Sequence, residues 1–125
     1  MIDYSDHFSH ADESISAINF LQYSDAEWTR YADNRYMYMN RLRHDDVMRL
    51  FESSGHRVLA VTTHVDDRAR ALLEAGALHV DERFRDKSHE ILSIRGSWVV
   101  SERARGLRAG NCCPGAVISH VQFQS

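Results

Sequence analysis

Residues 57–65 read RVLAVTTHV, an apolar, β-branched run with the character of a strand. Gly55 stands just before it, where a helix opening at Asp45 would stop, with Val47, Met48, Leu50 and Phe51 on its inner face. Asp66 or Asp67 caps a second helix, DRARALLEAG, which ends in the same way at Gly76. Helix, strand and helix in that order point to an α/β chain.

Downstream, VDERFRDKSHEILSI (80–94) predicts a loop and a helical turn capped by Ser88. Gly96 then precedes SWVVSE (97–102), a second strand that would pair antiparallel with the first. RARGLRAGNCCPG (103–115) is turn-rich and holds the only proline. AVISHVQFQ (116–124) alternates in the manner of a third strand. Upstream, residues 1–13 read as a polar loop, and Ile15, Ile18 and Leu21 lie at helical spacing in SISAINFLQ (14–22). Ser24 followed by Glu27 is a capping box that opens a helix through Trp28 and Tyr31. NRYMYMNRL (34–42) fits either a helix or a packed connection. Two strands alone make a marginal sheet, so the tail or a dimer partner is expected to complete it.

The 125 residues suit one domain, with 43% hydrophobic and 26% charged residues, as in ordinary globular proteins. A net charge of −3 offers no basic footprint, so no nucleic acid is expected as a partner. No apolar run is long enough to span a bilayer, and Met1 is not followed by a signal-peptide pattern. No membrane partner and a cytoplasmic setting are therefore expected. Cys112 and Cys113 are adjacent, which disfavours a mutual disulfide, and neither has a second pair to complete a metal site.

DYSDHFSHADESISAINFLQYSDAEW (3–28), then NRYMYMNRLRHDDVMRLFESSGHRVLAV (34–61), resembles the C-terminal part of bacterial class I S-adenosylmethionine-dependent methyltransferases. The likeness rests on Asp6-His7-Phe8, His10, Asp12, Ser14-Ile15-Ser16, Asn19-Phe20-Leu21 and Asn40-Arg41-Leu42-Arg43, with FRDKSHEILSIRGSWVVSE (84–102) as the closing segment. It covers residues 2–103, a methyltransferase-like domain, and leaves 104–125 as an atypical tail of the kind a recombined reading frame leaves. The resemblance implies part of a Rossmann-like, mostly parallel α/β sheet, with RVLAV as its sixth strand and SWVVS as its antiparallel seventh. The family's glycine-rich cofactor turn has no counterpart. The six glycines, at 55, 76, 96, 106, 110 and 115, form no such loop. No cofactor is therefore expected in this chain.

Asp6, His7, His10 and Asp12 form the densest chemical group. Two imidazoles and two carboxylates within seven residues suit a divalent metal. The resemblance instead sets Asp6, His7, His10, Asp12 and Asn19 on the substrate side of a pocket, with Asp6 and His7 as base or orienter. A polar loop with satisfied histidines is the plain alternative. Arg41 and Arg43 suit a carboxylate or phosphate clamp, or pairing with Asp45 and Asp46. Trp28, Tyr31, Tyr36 and Met39 belong to an aromatic cluster that is expected to pack in a core or at an interface, with the dimer interface as the first expectation. Three functions follow from these readings. The first is a non-catalytic interaction module, a homodimer. The second is the substrate-side subunit of a split methyltransferase, with a separate cofactor-binding chain. The third is a small-molecule binder using an aromatic cleft.

Overall fold

The computed structural model describes residues 1–32 and 39–105, and shows a mixed α/β fold with a small antiparallel sheet. In chain order the elements are β1 (Ile2–Asp3), α1 (Phe8–Ala11), a 3-10 turn (Asn19–Gln22), α2 (Asp25–Ala32), α3 (His44–Ser53) and β2 (His56–Val65). They are followed by α4 (Asp67–Glu74), a 3-10 turn (Glu82–Phe84), α5 (His89–Ser93) and β3 (Ile94–Arg103).

The sheet order is β1-β3-β2, and both outer strands run antiparallel to β3. RVLAVTTHV and GSWVVSE therefore lie side by side as the sequence implies, with Val61 opposite Val99 and Thr62 opposite Trp98. The register slips at Leu59, the extra residue of a bulge between Val58 and Ala60. The third described strand is one that the sequence did not point to. Residues 116–124 lie outside the described residues, and Ile2–Asp3, read as loop, pairs with Ser97 and Gly96. Two residues are too few to show alternation. Gly96 lets the strands approach closely, since a Cβ there would make a tight 3.1 Å contact with the Ile2 carbonyl oxygen.

The helix boundaries follow their caps. In α2, Glu27 accepts from the Ser24 N–H at 2.8 Å while Ser24 accepts from the Glu27 N–H at 3.2 Å. Asp66 caps α4 through the Ala69 N–H, and Ser88 caps α5 through the Ile91 N–H. Gly55 and Gly76 sit at φ +78° and +68°, the left-handed conformation in which helices stop. The helix expected across 15–21 is absent. Ser16 accepts from the Ile18 N–H, and Asp12 accepts from both the N–H and hydroxyl of Ser14, so side chains compete with helical bonding. Only the 3-10 turn at Asn19 remains.

Two apolar clusters fill the interior. Ile18, Phe20, Leu21, Trp28, Met39, Ala69, Leu73, Leu78, Phe84 and Leu92 form the larger. Ile2, Tyr4, Val47 and Ile94 form the smaller, with Met48, Phe51 and Val99 packed against it, so α3 covers one face of the sheet. Leu50, expected on the inner face of α3, is 52% exposed. On the opposite face of the sheet, Trp98 and Val100 are 49% and 43% exposed, and the bulged Leu59 is 50% exposed. Every residue of β2 from Leu59 to His64 is exposed, and among the described residues β2 has no neighbour on its outer side.

Candidate functional site

The loop after β1 carries the residues singled out in the sequence. Asp6 is fully buried and organises this loop. Its Oδ1 accepts from the Phe8 N–H at 2.9 Å, its N–H donates to Ala17 O at 2.7 Å, and its carbonyl accepts from the Ser9 N–H at 3.0 Å. Oδ2 has no hydrogen-bond partner among the described residues. Burial raises the Asp6 pKa, against the Phe8 N–H and the Asn19 side chain, which both favour the charged form. Asp6 and Asn19 are thus brought together, Asp6 fully buried and Asn19 half-buried beside it.

The His7 and His10 rings lie 5.2 Å apart between centroids, tilted by 32°. Their Nε2 atoms lie 3.7 and 3.9 Å from Asp3 Oδ2. Asp12 is elsewhere: it accepts from the Ser14 hydroxyl at 2.7 Å, and this bond draws its pKa down. The fourth member of the sequence group is therefore separated from the others, and Asp3 takes its place. Ser5 joins them as well, donating its hydroxyl to Asp3 Oδ1 at 2.6 Å and standing 2.8 Å from His10 Nε2. Both were missed, although residues 3 and 5 leave a strand on one side by simple alternation.

Serine, histidine and aspartate within hydrogen-bonding reach invite comparison with a catalytic triad. There, the carboxylate orients the imidazole and the imidazole takes the serine proton. Here the carboxylate bonds the serine itself, and Ser5 is buried. A hydroxyl has one proton to give, and Asp3 receives it, so His10 is left to donate to Ser5. The network pins the loop and does not activate a nucleophile. Among the described residues no group of three or more His, Cys, Asp or Glu is placed to hold a metal ion.

The two arginines are structural ties, not an open clamp. Arg43 is fully buried, and its guanidinium donates to the carbonyls of Tyr4 (2.7 Å), Leu92 (2.8 Å) and Ile94 (2.8 Å). Burial pushes its pKa down to about 10, which leaves it charged at neutral pH. Arg41 donates to Phe20 O at 3.1 Å, to Tyr23 O and to Asp25 Oδ1, and lies over the Trp28 and Phe84 rings. Asp45 and Asp46, expected as partners of these arginines, hold Lys87 instead, at 2.6 and 2.9 Å.

The aromatic cluster divides. Trp28 and Met39 are 9% and 8% exposed within the larger core, so their side chains face the chain's own interior. Their mutual contact explains this: the Trp28 indole N–H donates to Met39 O at 3.4 Å, and the ring meets Phe20 edge-on at 5.7 Å. Tyr31 is 62% exposed. Tyr36 lies outside the described residues.

Two depressions among the described residues lie next to the side chains of β1 and the loop after it. One is a cleft of about 330 Å³ walled by Ile2, Leu42, Val47, Leu50 and Phe51, between β1 and α3. The other is polar and includes His10, Glu13, Asp66, Arg68 and Arg95. Among the described residues no helix is long and apolar enough to cross a membrane. No protein-family model matches the chain, and neither the curated proteins nor the solved structures yield a match.

Proposed function

We propose that this chain is a non-catalytic interaction module, built on a methyltransferase-like frame, that pairs with a second copy of itself through the free edge of β2. The observation that carries the reading is the strand itself. Ten residues long, β2 is exposed from Leu59 to His64 and, among the described residues, pairs on one side only. Such an edge presents a row of peptide donors and acceptors to any strand that approaches it. Pairing about a two-fold axis sets the same strand against itself antiparallel, so one surface serves both partners. Trp98, Val100 and Leu59 supply apolar area beside the ladder. The edge is blunted only lightly, by the Leu59 bulge and by Arg57, which is held in a pair with Glu102. The dimer surface is therefore placed on β2 and not on Trp28 and Met39.

The methyltransferase-like frame is supported by strand direction. β1 and β2 run parallel to each other on either side of a reversed β3. A mostly parallel sheet with one antiparallel strand beside its sixth has this arrangement.

Hydrogen exchange at about 5 μM and about 500 μM protein tests the edge directly, since amide protection reports local opening. The expected result is slower exchange at residues 60–64 in the concentrated sample, with α4 unchanged. Identical exchange of β2 at both concentrations would overturn the proposal.

A further inference from the structure

We infer that two copies of this chain meet in one register, with Thr62 on the two-fold axis and Arg57 of each copy paired with Asp67 of the other. This rests on the reading that β2 pairs with itself, and adds what fixes the pairing. The faces of the strand limit the choice. In an antiparallel pair, residues opposite each other point to the same side of the sheet. Val61 and Thr63 stand opposite Val99 and Ser97, on the side that α3 covers. Ala60 and Thr62 stand opposite Val100 and Trp98, on the open side. A two-fold axis that keeps these sides apart passes through a residue and not between two. Val61 and Thr62 lie at the middle of the exposed stretch from Leu59 to His64, which leaves those two.

Charge decides between them. β2 begins with His56 and Arg57, Asp66 and Asp67 follow its end, and no Lys, Arg, Asp or Glu lies between. With the axis at Val61, counting outward past the extra residue Leu59, Arg57 comes opposite His64 of the partner subunit. With the axis at Thr62 it comes level with the partner's Asp66 and beside the partner's Asp67, while Val58 meets Val65 of the partner subunit. Both groups are open to this contact. The Arg57 side chain is 69% exposed and, among the described residues, is bonded only through Nη2 to Glu102, so its fork keeps donors for a second carboxylate. Asp67 is exposed at the start of α4 and has no hydrogen-bond or ion-pair partner among the described residues. Its neighbours are occupied: Asp66 accepts from the Ala69 N–H, and Arg68 donates to the carbonyls of Glu13 and Ser14. The end where β2 begins is basic, since Arg57, Arg103 and Arg105 line a depression there with Glu102 as its one described acid. Within one chain Arg57 and Asp67 stand about 30 Å apart along the strand, so they meet only across an interface.

The test is sedimentation equilibrium of the full chain at low salt, with wild type beside Arg57→Glu, Asp67→Arg and an equimolar mixture of the two variants. Each reversal alone sets like charges together at both ends of the interface, and should weaken association about tenfold. The mixture restores both opposite-charge pairs and should associate about as tightly as wild type. Thermal melts confirm that each variant is folded. Disulfide trapping reads the axis itself, in a chain with Cys112→Ser and Cys113→Ser. Thr62→Cys should cross-link two copies, because opposed residues of an antiparallel pair stand about 4.5–5.5 Å apart, within disulfide reach. Ala60→Cys should not, because its own counterpart lies about 13 Å away. A wild type that stays monomeric would overturn this inference together with the β2 edge. A wild type that dimerises with residues 60–64 protected, yet ignores both reversals, gains nothing on mixing or cross-links through Ala60→Cys, would overturn the register alone.

Discussion

Replacing Arg43 with methionine removes the tie that joins three parts of the fold. The guanidinium holds Tyr4 O just beyond β1, Leu92 O in α5 and Ile94 O at the start of β3. All three bonds are short, and the side chain is fully buried. Methionine keeps most of the apolar volume but leaves these carbonyls without the donors. A buried acceptor left unpaired costs about 1–3 kcal/mol, so three would lose about 3–9 kcal/mol in the absence of any relief. Relief comes from no longer burying a charge, which makes the lower end, about 3 kcal/mol, the expected net loss. For a domain of 125 residues this lowers the melting temperature by roughly 11 °C. Urea unfolding and calorimetry measure both quantities. Arg43→Lys retains charge but offers one nitrogen for three separate carbonyls, and should recover only part of the loss. A loss below about 1 kcal/mol for Arg43→Met, or full recovery with lysine, would refute the claim that the planar fork holds the three segments.

Other outcomes follow from the same geometry. Gly76→Ala meets no atom within 4 Å but must adopt φ +68°, so chemical denaturation should show a loss of about 1 kcal/mol with the fold intact. Gly96→Ala instead drives a methyl to 3.1 Å from Ile2 O, which must give by a few tenths of an ångström, and amide exchange should show the β1–β3 pairing loosened. Lys87→Met should destabilise by about 1–3 kcal/mol, because Asp45 and Asp46 lose their shared ammonium. Burial opposes charge on Lys87 and on Asp46, yet their contacts prevail, raising the Lys87 pKa and lowering that of Asp46. The folded state therefore favours both charged forms. The stability difference between wild type and Lys87→Met should be full between about pH 4 and pH 10. It should shrink in acid as the pH falls through the Asp46 pKa, and in alkali as it rises through the Lys87 pKa. A difference that is flat through both limits in stability measured against pH would contradict this pairing.

What the sequence revealed depended on how far each signal extended along the chain. β2 and α4 were legible because their runs are long and their stops, Gly55, Asp66 and Gly76, have one mechanism each. β1 was not, because two residues have no period, and its pairing rests on Gly96, more than ninety positions away. Arg41 and Arg43 stood out as charged residues suited to anions. Nothing local told that their partners would be carbonyls from residues 4, 20, 23, 92 and 94. The histidine loop was found by its density, and its internal order came from the fold. Asp6 turns inward to its own backbone, Asp12 turns outward, and Asp3 enters because β1 places it beside both imidazoles. Trp28 and Met39 stayed open between two readings for a related reason. Large apolar side chains read alike at an interface and in a core, and here they close the chain's own core.

Self-association through β2 is tested most directly by sedimentation equilibrium of the wild type beside Leu59→Lys across micromolar to millimolar concentration. Leu59 is half exposed at the bulge, so a lysine there leaves the core untouched and places a charge on the edge. The account predicts a reversible rise of the wild type from 14.4 kDa toward twice that mass, and a variant that remains monomeric with an unchanged melting temperature. A wild type that stays at 14.4 kDa throughout, or a variant that dimerises equally well, would contradict it.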